Sequence, residues 1–158
     1  MVDKTTLREA IVARLRADLA QQTAAAQLSR DEAINEESRP ENKYDMHSQE
    51  AAYLAEGQAR LAREIAESVA HYATLPLPLF EPGAAIAIGA VVELRGARGS
   101  VWYFIGPRAG GIEVTVGGHE VFVITPQSPL GRELVGRHAG DAVKLPGRPM
   151  EFRIASVT

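Results

Sequence analysis

The carboxylates that could do chemistry in this chain are concentrated between residues 31 and 50. Like charges at this density repel one another and lower the stability of a compact state, so a simple turn does not account for them. Carboxylates are hard oxygen ligands that suit Mg²⁺, which takes one or two of them and completes its coordination elsewhere. We therefore interpret residues 36–45 as an acidic tip that could complete a magnesium site held in another protein. The stretch contains seven acidic residues, Asp31, Glu32, Glu36, Glu37, Glu41, Asp45 and Glu50, against the two basic residues Arg39 and Lys43.

The same segment can also be interpreted as a plain helix junction. Ser38 and Glu41 have the S-x-x-E spacing of a capping box, and Pro40 suits the first turn of a helix. In that interpretation Glu36 and Glu37 are simply solvated. The two interpretations are compatible, because a capped turn also fixes the positions of its acids.

Two long helices are predicted on either side of this segment. The first runs from about Thr6, where Thr6 and Glu9 form a capping-box pattern, to Glu36, and a second such pattern at 29–32 marks a point where it could bend. The second runs from about Pro40 to Tyr72. Complementary apolar stripes and a short connection predict an antiparallel coiled-coil hairpin. The predicted stripes are Val12, Leu15, Leu19 and Gln22, flanked by Leu7, Ile11 and Leu28, and then Leu54, Leu61, Ile65, Val69 and Tyr72.

A proline-rich segment at 76–83 separates the predicted arm, residues 1–75, from a second domain at 84–158. Three prolines at this spacing predict a stiff, extended linker. Beyond it, β-branched and aromatic runs predict strands at 90–94, 101–105, 112–116, 120–124, 142–145 and 151–155, with one short helix at 128–136. The predicted fold class is therefore α+β, with a helical hairpin followed by a small antiparallel sheet and one short helix.

Composition excludes several classes of function. The net charge of −3 gives no basis for nucleic-acid binding through bulk charge, and there is no cysteine for disulfides or thiolate metal sites. The sequence contains no P-loop, nucleophile elbow or dinucleotide fingerprint, and its four histidines lack metal-ligand spacing. No apolar run approaches the roughly 20 residues that span a bilayer, so we expect a cytoplasmic protein without membrane contact.

Two groups of motifs resemble the bacterial Gre-type transcript cleavage factors, GreA and GreB. Pro40-Glu41-Asn42 takes the place of the core of the family's tip motif, Glu50 stands eight residues after Asn42, and Glu56-Gly57 follows at the expected distance. In the second domain, residues 124–132 resemble the family's I-S-x-x-S-P-x-x-R/K segment. Gly140-Asp141 and Glu151–Ile154 also fit, so the resemblance covers nearly the whole chain.

This resemblance implies a monomeric factor with an FKBP-like C-terminal domain that docks on the rim of the secondary channel of RNA polymerase. The arm then enters the channel, and acids at its tip help to hold the second Mg²⁺ of polymerase's own active site. The chain would have no cofactor of its own and would meet the nascent RNA 3′ end and DNA only within the elongation complex. The resemblance assigns Glu41 and Glu37 as the assisting acids, with Glu41 as a metal ligand only together with polymerase. It assigns docking to Ser128, Pro129 and Leu130, and tip positioning to Ser38, Arg39, Pro40, Asn42, Tyr44 and Asp45.

The chain departs from the family pattern at the tip. The first of the family's two tip acids falls on Ser38, so the neighbouring Glu37 would have to substitute for it, and Tyr44 lies one residue early. Three alternatives to a cleavage factor therefore stay open. They are a cleavage-inactive regulator that occupies the channel, a prolyl isomerase suggested by the FKBP-like fold alone, and a coiled-coil interaction module.

Overall fold

The computed structural model describes residues 1–37 and 45–158, leaving out the side chains of residues 36, 37, 45, 47 and 48. The chain divides into a helical unit, Val12–His71, and a sheet unit that combines Met1–Ile11 with Tyr72–Thr158. The domain boundaries inferred from the sequence stay a prediction. The elements are α1 Lys4–Glu37, α2 Asp45–Ala73, β1 Val91–Gly96, β2 Gly99–Ile105, β3 Glu113–Val116, β4 His119–Ile124, α3 Pro129–Leu134, β5 Ala142–Lys144 and β6 Glu151–Val157.

Helix α1 begins two residues before the predicted start. The carboxylate of Asp3 accepts hydrogen bonds from the backbone N–H of Thr6 at 2.8 Å and from its hydroxyl at 2.6 Å. Asp3 therefore caps the helix, because its side chain satisfies a donor that has no partner in the first turn. The helix then continues without a break through residues 29–32 to Glu37. The side chain of Ser29 does not form a cap there, because it bonds to Gln58 of the other helix.

The seam of the helical unit follows the alternating three- and four-residue spacing of a coiled coil. Ala33 of α1 lines the same depression as Ala52 and Ala55 of α2, and Ser29 bonds to Gln58. Later residues of α1 thus meet earlier residues of α2, so the helices are antiparallel. The buried and half-buried seam residues are Leu15, Leu19, Gln22, Ala26, Ser29 and Ala33 on α1, and Ala51, Ala55, Gln58, Ala62, Ile65 and Val69 on α2.

The predicted apolar stripe of α2 was wrong at Leu54 and Leu61, and Leu28, predicted beside the stripe of α1, is also exposed. Leu28, Leu54 and Leu61 are 63%, 56% and 46% exposed. The seam passes instead through small and polar residues, which a search for large apolar side chains does not detect. Close packing of two helices favours alanine at such positions, and this is why exposed leucines coexist with buried alanines.

The sheet unit confirms the predicted α+β fold, with all six strands and the short helix present. The strand order is β3-β4-β2-β1-β6-β5. Neighbouring strands are antiparallel except β2 and β4, which pair in parallel, so the sheet is mixed where a purely antiparallel one was predicted. The difference arises because β3 takes the outer edge and its hairpin partner β4 then fills the place beside β2. The tight turn of that hairpin uses positive φ at Gly117 and Gly118, which glycine adopts at little cost.

Both faces of the central strand β1 are covered. On one face, Val92 and Leu94 join a core cluster with Leu134 of α3 and Phe152 and Ile154 of β6. On the other, Tyr72 is fully buried, with its ring 6.5 Å from that of Phe104 and its hydroxyl donating to the carbonyl oxygen of Arg108 at 2.6 Å. This packing fixes the last turn of α2 within the sheet unit.

The proline-rich segment is held against the first turns of α1, within the same unit. The Nζ of Lys4 donates to the carbonyl oxygen of Pro78 at 2.6 Å and lies 4.7 Å from the centre of the Phe80 ring. A guanidinium N–H of Arg8 donates to the carbonyl oxygen of Leu75 at 2.9 Å. These bonds give order to a segment whose prolines cannot donate hydrogen bonds themselves.

Candidate functional site

The acidic segment joins the C-terminal end of α1 to the N-terminal end of α2. Glu37 is the last residue of α1 and Asp45 is the first residue of α2. The other predicted tip residues, Ser38, Arg39, Pro40, Glu41, Asn42 and Tyr44, lie outside the described residues. Their roles, and the roles of the Glu37 and Asp45 side chains, stay predictions.

The end of α1 has an electrostatic pattern that opposes helix stability. Glu36 and Glu37 lie in its last turn, and no basic residue does. The C-terminal end of a helix carries partial negative charge, so each acid there costs on the order of 0.3–1 kcal/mol, where a lysine or arginine would stabilise. Folding alone therefore gives no reason for these two acids, and this favours a functional interpretation of the segment.

In the helical unit, Glu37 and Asp45 flank the acidic segment at one end of the helix pair, and Val12 and His71 lie at the other end. From Val12 to Glu37, α1 continues for about 26 residues, or roughly 39 Å at 1.5 Å per residue. The seam changes along this length, from Leu15, Leu19, Ile65 and Val69 to smaller side chains nearer the acidic segment. Because small side chains bury little apolar area, the far half of the hairpin depends more on polar contacts.

Gln58 makes two polar contacts across this seam. Its Oε1 accepts from the Ser29 hydroxyl at 2.6 Å, and its backbone carbonyl accepts from the Gln22 amide at 3.5 Å. A buried polar pair in a coiled coil is satisfied in one register and broken in others. The Ser29–Gln58 pair therefore fixes which residues of the two helices face each other, and with them the ends that flank the acidic segment.

Glu50 and Glu56-Gly57, which matched the family pattern, are on α2. Glu50 is exposed, and the carboxylate of Glu56 lies 3.6 Å from the guanidinium of Arg63, with both side chains mostly in solvent. A Cβ built at Gly57 would meet no atom within 4 Å outside its own stretch of helix. The described residues thus provide no packing reason for a glycine here, although glycine weakens a helix by about 1 kcal/mol relative to alanine.

The three predicted docking residues have different environments. The Ser128 hydroxyl donates to the carbonyl oxygen of Thr125 at 2.7 Å and accepts from the backbone N–H of Gly131 at 3.0 Å, so it caps α3. Leu130 is half-buried and packs against the core cluster, whereas Pro129 is exposed. A Cβ at Gly131 would overlap the carbonyl oxygen of Thr125, so the turn requires a glycine. Pro129 is therefore the residue of the three that is free to contact a partner.

A charged cluster on the sheet was missed by the sequence analysis. Glu93 is only 9% exposed, and its carboxylate accepts from the Ser100 hydroxyl at 2.6 Å and from the Arg95 guanidinium at 2.9 Å. The Ser100 hydrogen bond is the main reason that the pKa of Glu93 lies below its usual value; burial opposes this effect, and Arg95 and Ser156 add to it. The alternation in Val91–Arg95 could have indicated that Glu93 and Arg95 share a face, but the hydroxyls that join them come from β2 and from β6, which is distant in sequence.

The aromatic residues of β2 pack against neighbouring rings. The Trp102 ring lies 4.8 Å from that of His119, and the Tyr103 ring lies 5.9 Å from that of Phe122. In residues 1–37 and 45–158, no three histidine, aspartate or glutamate side chains come together to hold a metal ion. In the same residues, no helix is long and apolar enough to cross a membrane.

No protein-family model matches the chain, and no curated protein matches it. Among solved structures, the chain matches the GreA factor homolog Gfh1 of Thermus thermophilus at 21% identity and a TM-score of 0.39, covering 93% of this chain and 94% of that one. For Gfh1 of Thermus aquaticus the identity is 23% and the TM-score 0.37, with 94% of each chain covered. The chain is similar to Gre-type factors.

A third match is the elongation factor GreA/GreB of Nitrosomonas europaea, at 17% identity and a TM-score of 0.35, over 72% of this chain and 95% of that one. These Gre-type proteins are of the family that the motifs resemble. Identities below 25% and TM-scores below 0.5 do not support a function, however.

Proposed function

We propose that the chain is a transcription elongation factor that binds bacterial RNA polymerase at its secondary channel and stimulates cleavage of backtracked transcripts. The observation that carries the proposal is the pair Glu36-Glu37 at the C-terminal end of α1, followed by Glu41. Glu36 and Glu37 oppose the helix dipole and have no basic residue beside them in the last turn of the helix. Their position at the end of a long hairpin suits delivery of carboxylates into a deep site of a partner.

In this proposal Glu41, with Glu37 four residues before it, supplies carboxylate oxygens to a Mg²⁺ ion that polymerase holds with its own residues. Such an ion lowers the pKa of a bound water and so provides the nucleophile for phosphodiester hydrolysis. The chain itself is then not an enzyme and has no resident cofactor. Ser38, Arg39, Pro40, Asn42, Tyr44 and Asp45 would set the conformation of the segment, and the nascent RNA would be met only inside the elongation complex.

Exposed apolar residues of the helical unit support insertion into an enclosing partner. Among the side chains of this unit that the structure describes, six large apolar ones are exposed: Leu28, Ile34, Met46, Tyr53, Leu54 and Leu61. They do not form one stripe, because Tyr53 and Leu54 are adjacent and point about 100° apart on α2, and the six-residue separation of Leu28 and Ile34 places them on different sides of α1. A single flat interface would cover only one of these directions, whereas a channel wall covers several.

A second candidate function is channel occupancy without cleavage. Ser38 occupies the place where the Gre-type pattern has an acid, and a hydroxyl is a much weaker Mg²⁺ ligand than a carboxylate. If Glu37 cannot replace that acid, the chain would bind polymerase and alter initiation or elongation without shortening the RNA.

The deciding experiment is cleavage of a backtracked elongation complex by matched polymerase, with binding measured in parallel. We expect the wild-type chain to release short RNA fragments and to allow re-extension. Glu41→Gln should abolish this while leaving polymerase binding unchanged, and Ser38→Asp should increase the cleavage rate. Glu32→Gln, which removes an exposed acid farther back on α1, is the matched control and should cleave like wild type.

Other outcomes separate the two candidates. Binding without cleavage by the wild-type chain, together with altered elongation, would favour the channel-occupying regulator. Cleavage that survives Glu41→Gln would remove Glu41 from the mechanism. Absence of any binding to polymerase would reject both candidates.

A further inference from the structure

Two arginines on the sheet unit face each other across neighbouring strands. Arg95 of β1 and Arg153 of β6 are register partners in an antiparallel pair, so their side chains leave the same face of the sheet from backbones only about 5 Å apart. Register partners on the outer sides continue this row of facing residues across the sheet, with Ser100 of β2 beside Arg95 and Ala142 of β5 beside Arg153. The row therefore holds two positive charges and no negative one.

Like charges directly opposite each other destabilise a strand pair, so this arrangement calls for an explanation. The carboxylate of Glu93 lies 2.9 Å from the Arg95 guanidinium and also accepts from the hydroxyls of Ser100 at 2.6 Å and Ser156 at 3.5 Å. The Arg153 guanidinium donates to the carbonyl oxygen of Gly140 at 2.7 Å, and no ion pair of Arg153 is found in the described part of the chain. On the same face of β6, Glu151 lies opposite Lys144 of β5, so these two charges cancel. The Glu93 carboxylate then balances one of the two guanidinium groups, and a single positive charge is left over.

The surface at this point is concave. Arg95 and Arg153 line a shallow depression with Gly140, Ile154 and Ala155, and the Arg95 side chain is 64% exposed. Glu93 is nearly buried and fixed by hydroxyl groups from two other strands, so it holds the Arg95 guanidinium in place. The fork of a guanidinium matches the two oxygens of a carboxylate, and two such forks beside a depression form a receptor for a planar anion.

We propose that Arg95 and Arg153 form a docking site for a carboxylate on an acidic surface of the protein partner. The charge balance selects this occupant, because one carboxylate neutralises the remaining single positive charge. A phosphate group carries about −1.5 to −2 at neutral pH and would leave the site negative. The inference rests on the proposed function in one respect, since the partner used to test it is RNA polymerase.

This site is separate from the predicted docking residue Pro129. Side chains alternate along β1, so Glu93 and Arg95 lie on the face opposite to Leu94, which packs with Leu134 of α3. Pro129 belongs to α3. The two contacts therefore lie on different faces of the sheet, and their contributions to affinity should be separable by mutation.

The test is the dissociation constant of the full chain for matched polymerase, measured at about 50 and 200 mM salt. We expect Arg95→Gln/Arg153→Gln to weaken binding about tenfold at low salt and to make the salt dependence shallower, because screened charge pairs contribute less as salt rises. Arg153→Lys keeps the charge but loses the fork, so its affinity for polymerase should lie between those of wild type and the double variant. Arg98→Gln is the matched control, because Arg98 is exposed in the β1–β2 turn outside this row.

Unfolding midpoints of all variants establish that a lost affinity does not come from a lost fold. If wild type binds and the double variant binds equally well with the same salt dependence, the docking site is rejected and the proposed function stands. A loss that Arg98→Gln reproduces would also reject it, since general charge would then be responsible. If wild type does not bind polymerase at all, the proposed function and this inference both fail.

Discussion

Ser29 Oγ donates a 2.6 Å hydrogen bond to Oε1 of Gln58, across the seam between the two long helices. Ser29 is 7% exposed, so the bond is shielded from water. We expect Ser29→Ala to lower the free energy of unfolding by about 1 kcal/mol, because the amide oxygen of Gln58 loses its partner in a half-buried position. Urea denaturation monitored by helical circular dichroism measures this change.

A double variant tests whether the pair acts through register. Ser29→Ala with Gln58→Leu removes both polar groups and should recover much of the lost stability, while the helices become able to slide relative to each other. Gln27→Ala is the control, since the Gln27 amide donates to Asp31 on the exposed side of the same helix. Equal destabilisation by Gln27→Ala and Ser29→Ala would contradict the special role of the seam bond.

Gly57→Ala should stabilise the chain and impair its action on polymerase. The stabilisation should reach about 0.5–1 kcal/mol, because alanine favours helix and a Cβ here meets no neighbouring atom. If the glycine is needed for close approach of the partner, cleavage or binding falls despite the greater stability. Thermal unfolding and the cleavage assay, run on the same preparation, give the two values. Full activity in a more stable variant would mean that the glycine has no functional role.

Pro129→Ala should weaken polymerase binding without changing stability, because Pro129 is exposed at the start of α3. Ser128→Ala should mainly lower stability, since loss of the N-cap costs about 1 kcal/mol. Binding measured beside unfolding midpoints separates these effects. Unchanged affinity of the Pro129 variant would show that this end of α3 does not contact polymerase.

Stability of the sheet unit should fall in acid through Glu93. Its pKa is lowered in the folded chain, first by the Ser100 hydroxyl, so the ionised carboxylate is bound more favourably in the folded state. The resulting stability is fully present above the unfolded pKa of about 4.3 and is lost as pH falls through the folded value. Ser100→Ala should reduce this loss between pH 5 and pH 3, as seen in urea midpoints. An identical pH dependence in wild type and Ser100→Ala would reject the assignment.

The sequence predicted the element types well because they depend on local patterns. Alternation identified β3 and β4, and Ser128, Pro129 and Gly136 identified the short helix. The predicted start of α1 was two residues late, because two residues could cap the helix and Asp3 does so where Thr6 was expected. The predicted stripe is wrong at Leu54 and Leu61 because helical spacing alone allows neighbouring stripes, and the larger apolar side chains favour the wrong one.

The amino-acid sequence by itself determined the order of helix and strand, the acidic segment between the helices, and the motifs on which the functional proposal depends. Each of these follows from residues close together in the chain. Tertiary structure decided the rest: the Ser29–Gln58 register, the parallel pairing of β2 with β4, and the row that brings Arg95 beside Arg153. These relationships join residues distant in sequence, and they form only when burial and strand pairing bring those residues together.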